Sequence, residues 1–297
     1  TTSTTTTTTS ASTTSTSATT TTTLVLTGYQ LKVTGSNASG ELGTGNRIAQ
    51  YSYAAIASMP SVAWAALARD CAASLVVKSD GSLWGAGLDT SGRLGGVSGN
   101  SFTQVPGVNG VKAVFMGAAH SVALKADGAL MVSGLNAKGQ LGISATGDRA
   151  QFTDVPVLDN VIAVAPTSDT TYVLRANGAV HYAGDGVNLG RPTVLNFALI
   201  SGLTEVAALS ATDNHVLFLK KDGTVWAAGA NYYGELGLGD NDNRLSDPVQ
   251  VPFTGTAKAV LAVANCSFIL KSDGTVWSAG LDNVTYFQRT SRFVQVN

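Results

Sequence analysis

The sequence predicts an all-β fold, a β-propeller of four-stranded antiparallel blades, from three observations. A turn dipeptide followed by an apolar alternation and a glycine recurs along the 297 residues. The closing glycines are about 49 residues apart on average, so six repeats fill the chain, and seven blades remain an alternative. The apolar runs are five to seven residues long and bounded by Gly, Pro or Asn, and none keeps the 3.6-residue period of a helix.

The recurring element predicts a hairpin in each repeat. Asp-Gly and Asn-Gly pairs between apolar alternations favour tight turns, because both central residues must accept a positive φ. The copies are DGSLWGAG from Asp80, DGALMVSG from Asp127, NGAVHYAG from Asn177, DGTVWAAG from Asp222, DGTVWSAG from Asp273 and a degenerate GYQLKVTG from Gly28.

Each repeat divides into four short strands. In the third repeat the first strand is predicted at 111–116, the second begins at His120, the third at Ala129 and the fourth at Phe152. A Gly-x-Leu-Gly loop follows the third strand in four repeats, and it begins at Gly40, Gly92, Gly139 and Gly234. A sheet of this size cannot bury both faces alone, and radial stacking buries them against neighbouring sheets.

The clearest copy of the whole repeat, KKDGTVWAAGANYYGELGLGDNDNRLSDPVQV from Lys220 to Val251, resembles the repeat of the regulator of chromosome condensation family. The resemblance extends from Leu24 to Asn297. It implies a propeller, usually of seven blades in that family, whereas this chain offers six repeats. The family includes a nucleotide exchange factor for a small GTPase, a plant ultraviolet-B receptor and a bacterial β-lactamase inhibitor. The fold alone therefore assigns no function.

The chain is expected to divide into a segment 1–23, made only of Thr, Ser and Ala, and a propeller 24–297. Three interpretations of the segment stay open: an O-glycosylated stalk, the first strand of blade one from residues 12–17, or a strand that pairs with a neighbouring subunit. The candidate intersubunit or glycosylated residues are Thr4, Thr5, Thr6, Thr7, Thr8, Thr9, Thr13, Thr14 and Thr16.

Five cations stand two positions before the turn residue in successive repeats, and they predict a basic rim. They are Lys78, Lys125, Arg175, Lys220 and Lys271. The neighbouring turn aspartates partly neutralise them, which favours a solvated rim over an anion site.

No catalytic, cofactor-binding or metal-binding residue is predicted, because the candidate side chains follow the repeat. His120 and His215 fall seven residues before their turn residue, and His181 takes the place of a repeated tryptophan. The loop with Asp240 and Asp242 lacks the glycine and terminal glutamate of an EF-hand.

Charged residues make up 12% of the chain and the formal charge is −1, which argues against nucleic acid as a partner. No apolar run is long enough for a membrane span. We expect a non-catalytic secreted or cell-surface subunit that self-associates or adheres through protein contacts. The alternative is a soluble, cytoplasmic regulator or enzyme inhibitor of the same propeller family that binds a protein partner.

Overall fold

The structure, a computed structural model, describes residues 23–27, 30–156, 158–281 and 289–296. These residues form 23 β-strands and two three-residue 3-10 helices. The strands make six antiparallel sheets, called blades 1 to 6 here, and the strand order within each sheet follows the chain. The predicted all-β fold and the predicted number of six sheets are both confirmed.

The strands have the following bounds. Blade 1 contains β1 (Thr23–Thr27), β2 (Gln30–Gly35) and β3 (Gln50–Pro60), and blade 2 contains β4 (Val62–Leu67), β5 (Ala73–Lys78), β6 (Leu83–Gly87) and β7 (Gly99–Gln104). Blade 3 contains β8 (Val111–Met116), β9 (His120–Lys125), β10 (Leu130–Gly134) and β11 (Arg149–Asp154). Blade 4 contains β12 (Val161–Pro166), β13 (Thr170–Arg175), β14 (Val180–Gly184) and β15 (Val194–Leu199). Blade 5 contains β16 (Val206–Ala211), β17 (His215–Lys220), β18 (Val225–Gly229) and β19 (Arg244–Gln250), and blade 6 contains β20 (Ala257–Val263), β21 (Cys266–Lys271), β22 (Val276–Leu281) and β23 (Arg289–Gln295).

The hairpin between the second and third strands turns at the predicted Asp-Gly or Asn-Gly pair in each of blades 2 to 6. Only the glycine of each pair has a positive φ, so the expectation that both residues adopt one is wrong. In blade 3, Gly128 has a φ of +85°, and its N–H donates to the carbonyl of Lys125 at 3.1 Å. The carboxylate of Asp127 accepts the N–H of Ala129 at 2.9 Å and fixes the turn. The positive φ therefore explains the glycine of the pair, and the bond accepted by its side chain explains the aspartate.

Blade 1 shows three strands in the described residues, and they correspond to the second, third and fourth strands of the other blades. The stretch 12–17, predicted as its first strand, lies outside the described residues. The same holds for the candidate threonines Thr4, Thr5, Thr6, Thr7, Thr8, Thr9, Thr13, Thr14 and Thr16. The three interpretations of this segment therefore stay predictions.

The chain forms two compact units. The first contains blades 1 to 3, and the second contains Asn136–Thr146 and blades 4 to 6. Within each unit, the apolar core lies between the faces of consecutive sheets. In the second unit, Leu217, Leu219 and Val225 of blade 5 cluster with Ile269 and Phe293 of blade 6. The described residues contain no helix with the length and hydropathy to cross a membrane.

Candidate functional site

The five cations that are predicted to form a basic rim each lie at the hairpin end of their own blade. They are the last residues of β5, β9, β13, β17 and β21, and all five are half-buried. The cations are Lys78, Lys125, Arg175, Lys220 and Lys271. They thus occupy equivalent places in five blades, as the spacing predicts.

Three of these cations lie over the indole ring of the tryptophan six residues further along the chain. The Nζ atom of Lys78 is 4.3 Å from the ring centroid of Trp84. The corresponding distances are 5.0 Å from Lys220 to Trp226 and 5.0 Å from Lys271 to Trp277. The negative face of an indole attracts a cation, so part of each lysine charge is used to hold the third strand of its own blade.

A chain of side-chain hydrogen bonds orients the tryptophan. The hydroxyl of Ser82 donates to the carboxylate of Asp80 at 2.6 Å and accepts the indole N–H of Trp84 at 3.0 Å. The same two bonds occur in blade 6 among Asp273, Thr275 and Trp277, at 2.6 and 2.9 Å. Two hydrogen bonds lower the pKa of Asp80 below its usual value. The bond from the Ser82 hydroxyl has the larger effect, and the bond from the Ser82 N–H comes next. The turn carboxylates are therefore structural acceptors.

Blade 4 departs from this pattern, because Arg175 and His181 replace the lysine and the tryptophan. Arg175 forms an ion pair with Asp159. Burial lowers the pKa of His181, and the positive charge of Arg175 lowers it further. His181 therefore favours its neutral form and acts as a packing residue. That the five cations together form one solvated basic rim stays a prediction.

The buried histidine His215 joins two blades. Its Nδ1 atom lies 3.0 Å from the hydroxyl of Thr212, and its Nε2 atom lies 2.9 Å from the hydroxyl of Ser267 in blade 6. Ser267 and His215 both have no exposed surface. A serine beside a histidine can act as a nucleophile only where a substrate reaches it, and this hydroxyl is enclosed. The arrangement fits the structural role that the repeat pattern predicts for the histidines.

The Gly-x-Leu-Gly loops contain buried polar side chains that the sequence analysis did not single out. The residue after the first glycine is polar and buried in each case, and these residues are Glu41, Arg93, Gln140 and Glu235. Arg93 donates to the carboxylate of Asp70 at 2.8 Å and to the carbonyls of Leu88 and Ala118, so it joins blade 2 to blade 3. Burial raises the pKa of Glu235. The sequence contains a signal for these side chains, because the residue after the first glycine is polar in all four loops.

A buried asparagine closes three of these loops. In blade 5, Asn231 accepts the N–H of Leu236 at 2.9 Å and donates to the carbonyl of Asp240 at 2.9 Å. The equivalent Asn37 is 1% exposed and donates to the carbonyl of Asn46 at 2.9 Å. Asn37 begins an Asn-Ala-Ser sequon, but its enclosed amide is already bonded and is not accessible as a glycan acceptor.

The loop with Asp240 and Asp242 is held by an arginine. Arg244 donates to the Asp240 carboxylate and to the Asp242 carbonyl, both at 2.7 Å. Arg149 holds the equivalent loop of blade 3 by donating to the carbonyl of Gly147 at 2.8 Å. Among the described residues, no group of three or more His, Cys, Asp or Glu side chains could hold a metal ion.

Each Gly-x-Leu-Gly loop docks on the fourth strand of the following blade. The second glycine lies directly over an aromatic ring, and a Cβ atom on Gly237 would overlap the ring of Phe293. The same relation holds between Gly43 and Phe102, between Gly95 and Phe152, and between Gly142 and Phe197. Glycine is therefore required by the close approach of the loop backbone to the ring as well as by its positive φ.

Two family models, both described as the regulator of chromosome condensation (RCC1) repeat, match the chain. One matches residues 111–140 and 206–235, and the other matches residues 222–269. Among curated proteins, human Protein RCC2 is 35% identical over 28% of this chain and 16% of its own length. The guanine nucleotide exchange factor SRM1 of Saccharomyces cerevisiae is 28% identical over 41% of this chain and 28% of its own length. The chain thus matches less than a third of each relative.

Solved structures share the fold. Human WBSCR16 superposes with a TM-score of 0.78 over 90% of this chain and 78% of that chain, at 19% identity. Yeast RCC1 (Prp20), solved bound to Kap60, superposes with a TM-score of 0.76 over 90% of this chain and 72% of that chain, also at 19% identity. The repeat models match the hairpins of blades 3 and 5 and the Gly-x-Leu-Gly loop that begins at Gly234. The chain is therefore a β-propeller with six blades, and it contains repeats of the regulator of chromosome condensation type.

Proposed function

We propose that this propeller is a non-catalytic protein-binding module of the regulator type. The proposal rests on one observation, which is that the recurring polar groups form hydrogen bonds within the fold. His215 and Arg93 join consecutive blades, and the turn aspartates accept hydrogen bonds from their own hairpins. Such residues stabilise the scaffold, and its surfaces remain for contact with other proteins.

The similar proteins support a regulator over a secreted adhesive subunit. One curated relative is described as a guanine nucleotide exchange factor and another, from mouse, as a GTPase regulator. One solved neighbour was crystallised with Kap60, and the work on another describes binding to Gsp1p and histones. Histones are intracellular, so this support also favours the cytoplasmic alternative over the cell surface. The identity of the partner of this chain is part of the proposal.

The basic rim is the surface that we propose for this partner, because tryptophan and arginine are enriched at the centres of protein interfaces and cations attract an oppositely charged surface. The test replaces Lys220 and Lys271 by methionine, which keeps the apolar stem over each indole and removes the charge. Lys138, which is exposed on a loop, is changed to methionine as the control.

The measurement is capture of partners from an extract of the source cells, with the stoichiometry of each bound protein determined. We expect one stoichiometric protein with the wild type and the Lys138→Met variant, and at least about a tenfold loss with the double variant. Absence of any stoichiometric partner would contradict the proposed function. Equal binding by the double variant would show that the partner contacts another surface.

A further inference from the structure

The sequence contains two Asn-Gly pairs, Asn109-Gly110 and Asn177-Gly178, and the fold places them in different surroundings. The first pair lies in the loop between β7 and β8, and the second forms the hairpin turn of blade 4. An asparagine that precedes glycine is chemically labile, because the main-chain nitrogen of a residue without a Cβ atom can reach the carbonyl carbon of the asparagine side chain. The surroundings of each pair therefore decide whether this reaction occurs in the folded protein.

The pair in blade 4 is fixed by its hydrogen bonds. The Gly178 N–H donates to the carbonyl of Arg175 at 2.9 Å. The Oδ1 atom of Asn177 accepts the N–H of Ala179 at 3.0 Å, as the turn aspartates do in their own hairpins. Gly178 is buried, and a Cβ atom on it would lie 3.0 Å from the Cα atom of Glu205. The attacking nitrogen and the side chain are therefore both held until the turn opens.

The pair before β8 has neither restraint. Asn109 and Gly110 are both exposed, although Val108 and Val111 beside them are buried. Within the part of the chain that the structure describes, neither the Asn109 side chain nor the Gly110 N–H forms a hydrogen bond. Nothing lies within 4 Å of a Cβ atom built on Gly110. The nitrogen of Gly110 is therefore free to approach the Asn109 side chain.

We propose that Asn109 is a site of spontaneous modification, at which the side-chain amide becomes a carboxylate. The nitrogen of Gly110 loses its proton to solvent and bonds the Cγ atom of Asn109. The bond from Cγ to Nδ2 then breaks, and ammonia leaves with a proton taken from solvent. The five-membered succinimide that results takes up one water molecule. Opening of one of its C–N bonds gives aspartate, and opening of the other gives isoaspartate, in which the main chain runs through the Cβ and Cγ atoms.

The new carboxylate arises close to a cation of the predicted basic rim. The carbonyl of Gly110 accepts the N–H of Ala126 at 3.0 Å, and Lys125 precedes Ala126 at the end of β9. Each product adds one negative charge to a chain whose formal charge is −1, and it reduces the positive potential around Lys125. This inference goes beyond the proposed function and does not depend on it, because the reaction at Asn109 proceeds whether or not the rim binds a partner.

The experiment follows both pairs in the same folded, full-length chain at neutral pH and physiological temperature. Peptide mass spectrometry measures the fractions of aspartate and isoaspartate at positions 109 and 177 over time. Asn177 reacts only after its turn opens and two hydrogen bonds of about 1 kcal/mol each are broken, so we expect Asn109 to react at least about tenfold faster. Ion-exchange chromatography should show a more negative species that appears at the same rate as the change at Asn109.

Two variants test the chemistry of the site. Asn109→Gln should abolish the early negative species, because glutamine forms its larger ring more slowly. Gly110→Ala should slow the reaction at Asn109 and leave the reaction at Asn177 unchanged. The loop accepts a side chain at this place, because the residues that precede the first strands of blades 2, 4 and 5 also have a positive φ, and they are Ser61, Asn160 and Glu205. Circular dichroism confirms that each variant is folded.

Unfolding of the chain in urea provides the matched control, because it removes the hydrogen bonds of blade 4 and keeps both Asn-Gly pairs. The rates at Asn109 and Asn177 should then become similar. Three results would overturn the proposal. They are equal rates at the two asparagines in the folded chain, an Asn109 that stays unmodified while the unfolded chain reacts, and a difference between the rates that persists in urea.

Discussion

At the scale of single residues, His215 shows how a polar group with catalytic potential serves as a structural link. Its two ring nitrogens are within hydrogen-bond distance of Thr212 and Ser267, and both contacts are buried. The sequence predicted that this histidine is structural, because cysteine, threonine and alanine replace it in other repeats. It could not predict Ser267 as the partner, because that contact crosses from one sheet to the next.

Replacement of Ser267 by alanine tests this link. The change removes one buried hydrogen bond and leaves the Nε2 atom of His215 without this partner, so we expect the free energy of unfolding to fall by about 1–3 kcal/mol. Denaturant unfolding measures the loss. Ser272→Ala is the control, because the Ser272 hydroxyl bonds the Thr256 carbonyl at 3.2 Å at an exposed site, and a change within about 0.5 kcal/mol is expected. Equal losses in both variants would contradict the structural role of the link.

His181 makes the stability of the folded state depend on pH. Its pKa in the folded state lies below the ordinary value of about 6.5, so the unfolded chain binds the proton more readily. The stability contributed by neutral His181 is present above pH 6.5 and is lost as the pH falls through the folded pKa. We expect His181→Phe to lose this part of the pH dependence. Melting temperatures from pH 8 to pH 5 test this, and parallel curves for variant and wild type would contradict it.

At the scale of elements, the Gly-x-Leu-Gly loop is one of the contacts that join one sheet to the next. The sequence predicted the hairpins, since Asp-Gly turns are determined by local backbone geometry. It also located the loops. It did not predict their packing on Phe102 or Phe293, because a residue pattern within one repeat does not show which strand of the next repeat it meets.

Gly237→Ala tests the loop contact against a matched control. Gly237 and Gly202 both have a positive φ, +70° and +82°, so alanine strains the backbone at either site. A Cβ atom at Gly237 overlaps Phe293, whereas nothing lies within 4 Å of one at Gly202. We expect Gly237→Ala to destabilise the protein by about 1–3 kcal/mol more than Gly202→Ala. Equal effects in chemical denaturation would show that the ring contact contributes nothing.

At the scale of the whole molecule, the repeat predicts the number of sheets, and the structure shows that equivalent residues of different sheets differ in exposure. Val276 and Val225 have the same place in the repeat, yet only Val225 is covered. The sequence could not show this difference, because both residues belong to the same apolar alternation. The candidate rim was predicted from spacing, whereas the difference in exposure between equivalent residues required the structure.

The central claim is that the recurring polar groups hold the sheets together, whereas the rim cations bind a protein partner. The most direct measurement is binding of the captured stoichiometric partner by the Lys220→Met, Lys271→Met double variant and by Ser267→Ala, under conditions in which both variants are folded. We predict that the double variant binds at least about tenfold more weakly than the wild type. We predict that Ser267→Ala binds like the wild type although it is less stable. Unchanged binding by the double variant, or an equal loss of binding by Ser267→Ala, would contradict the central claim.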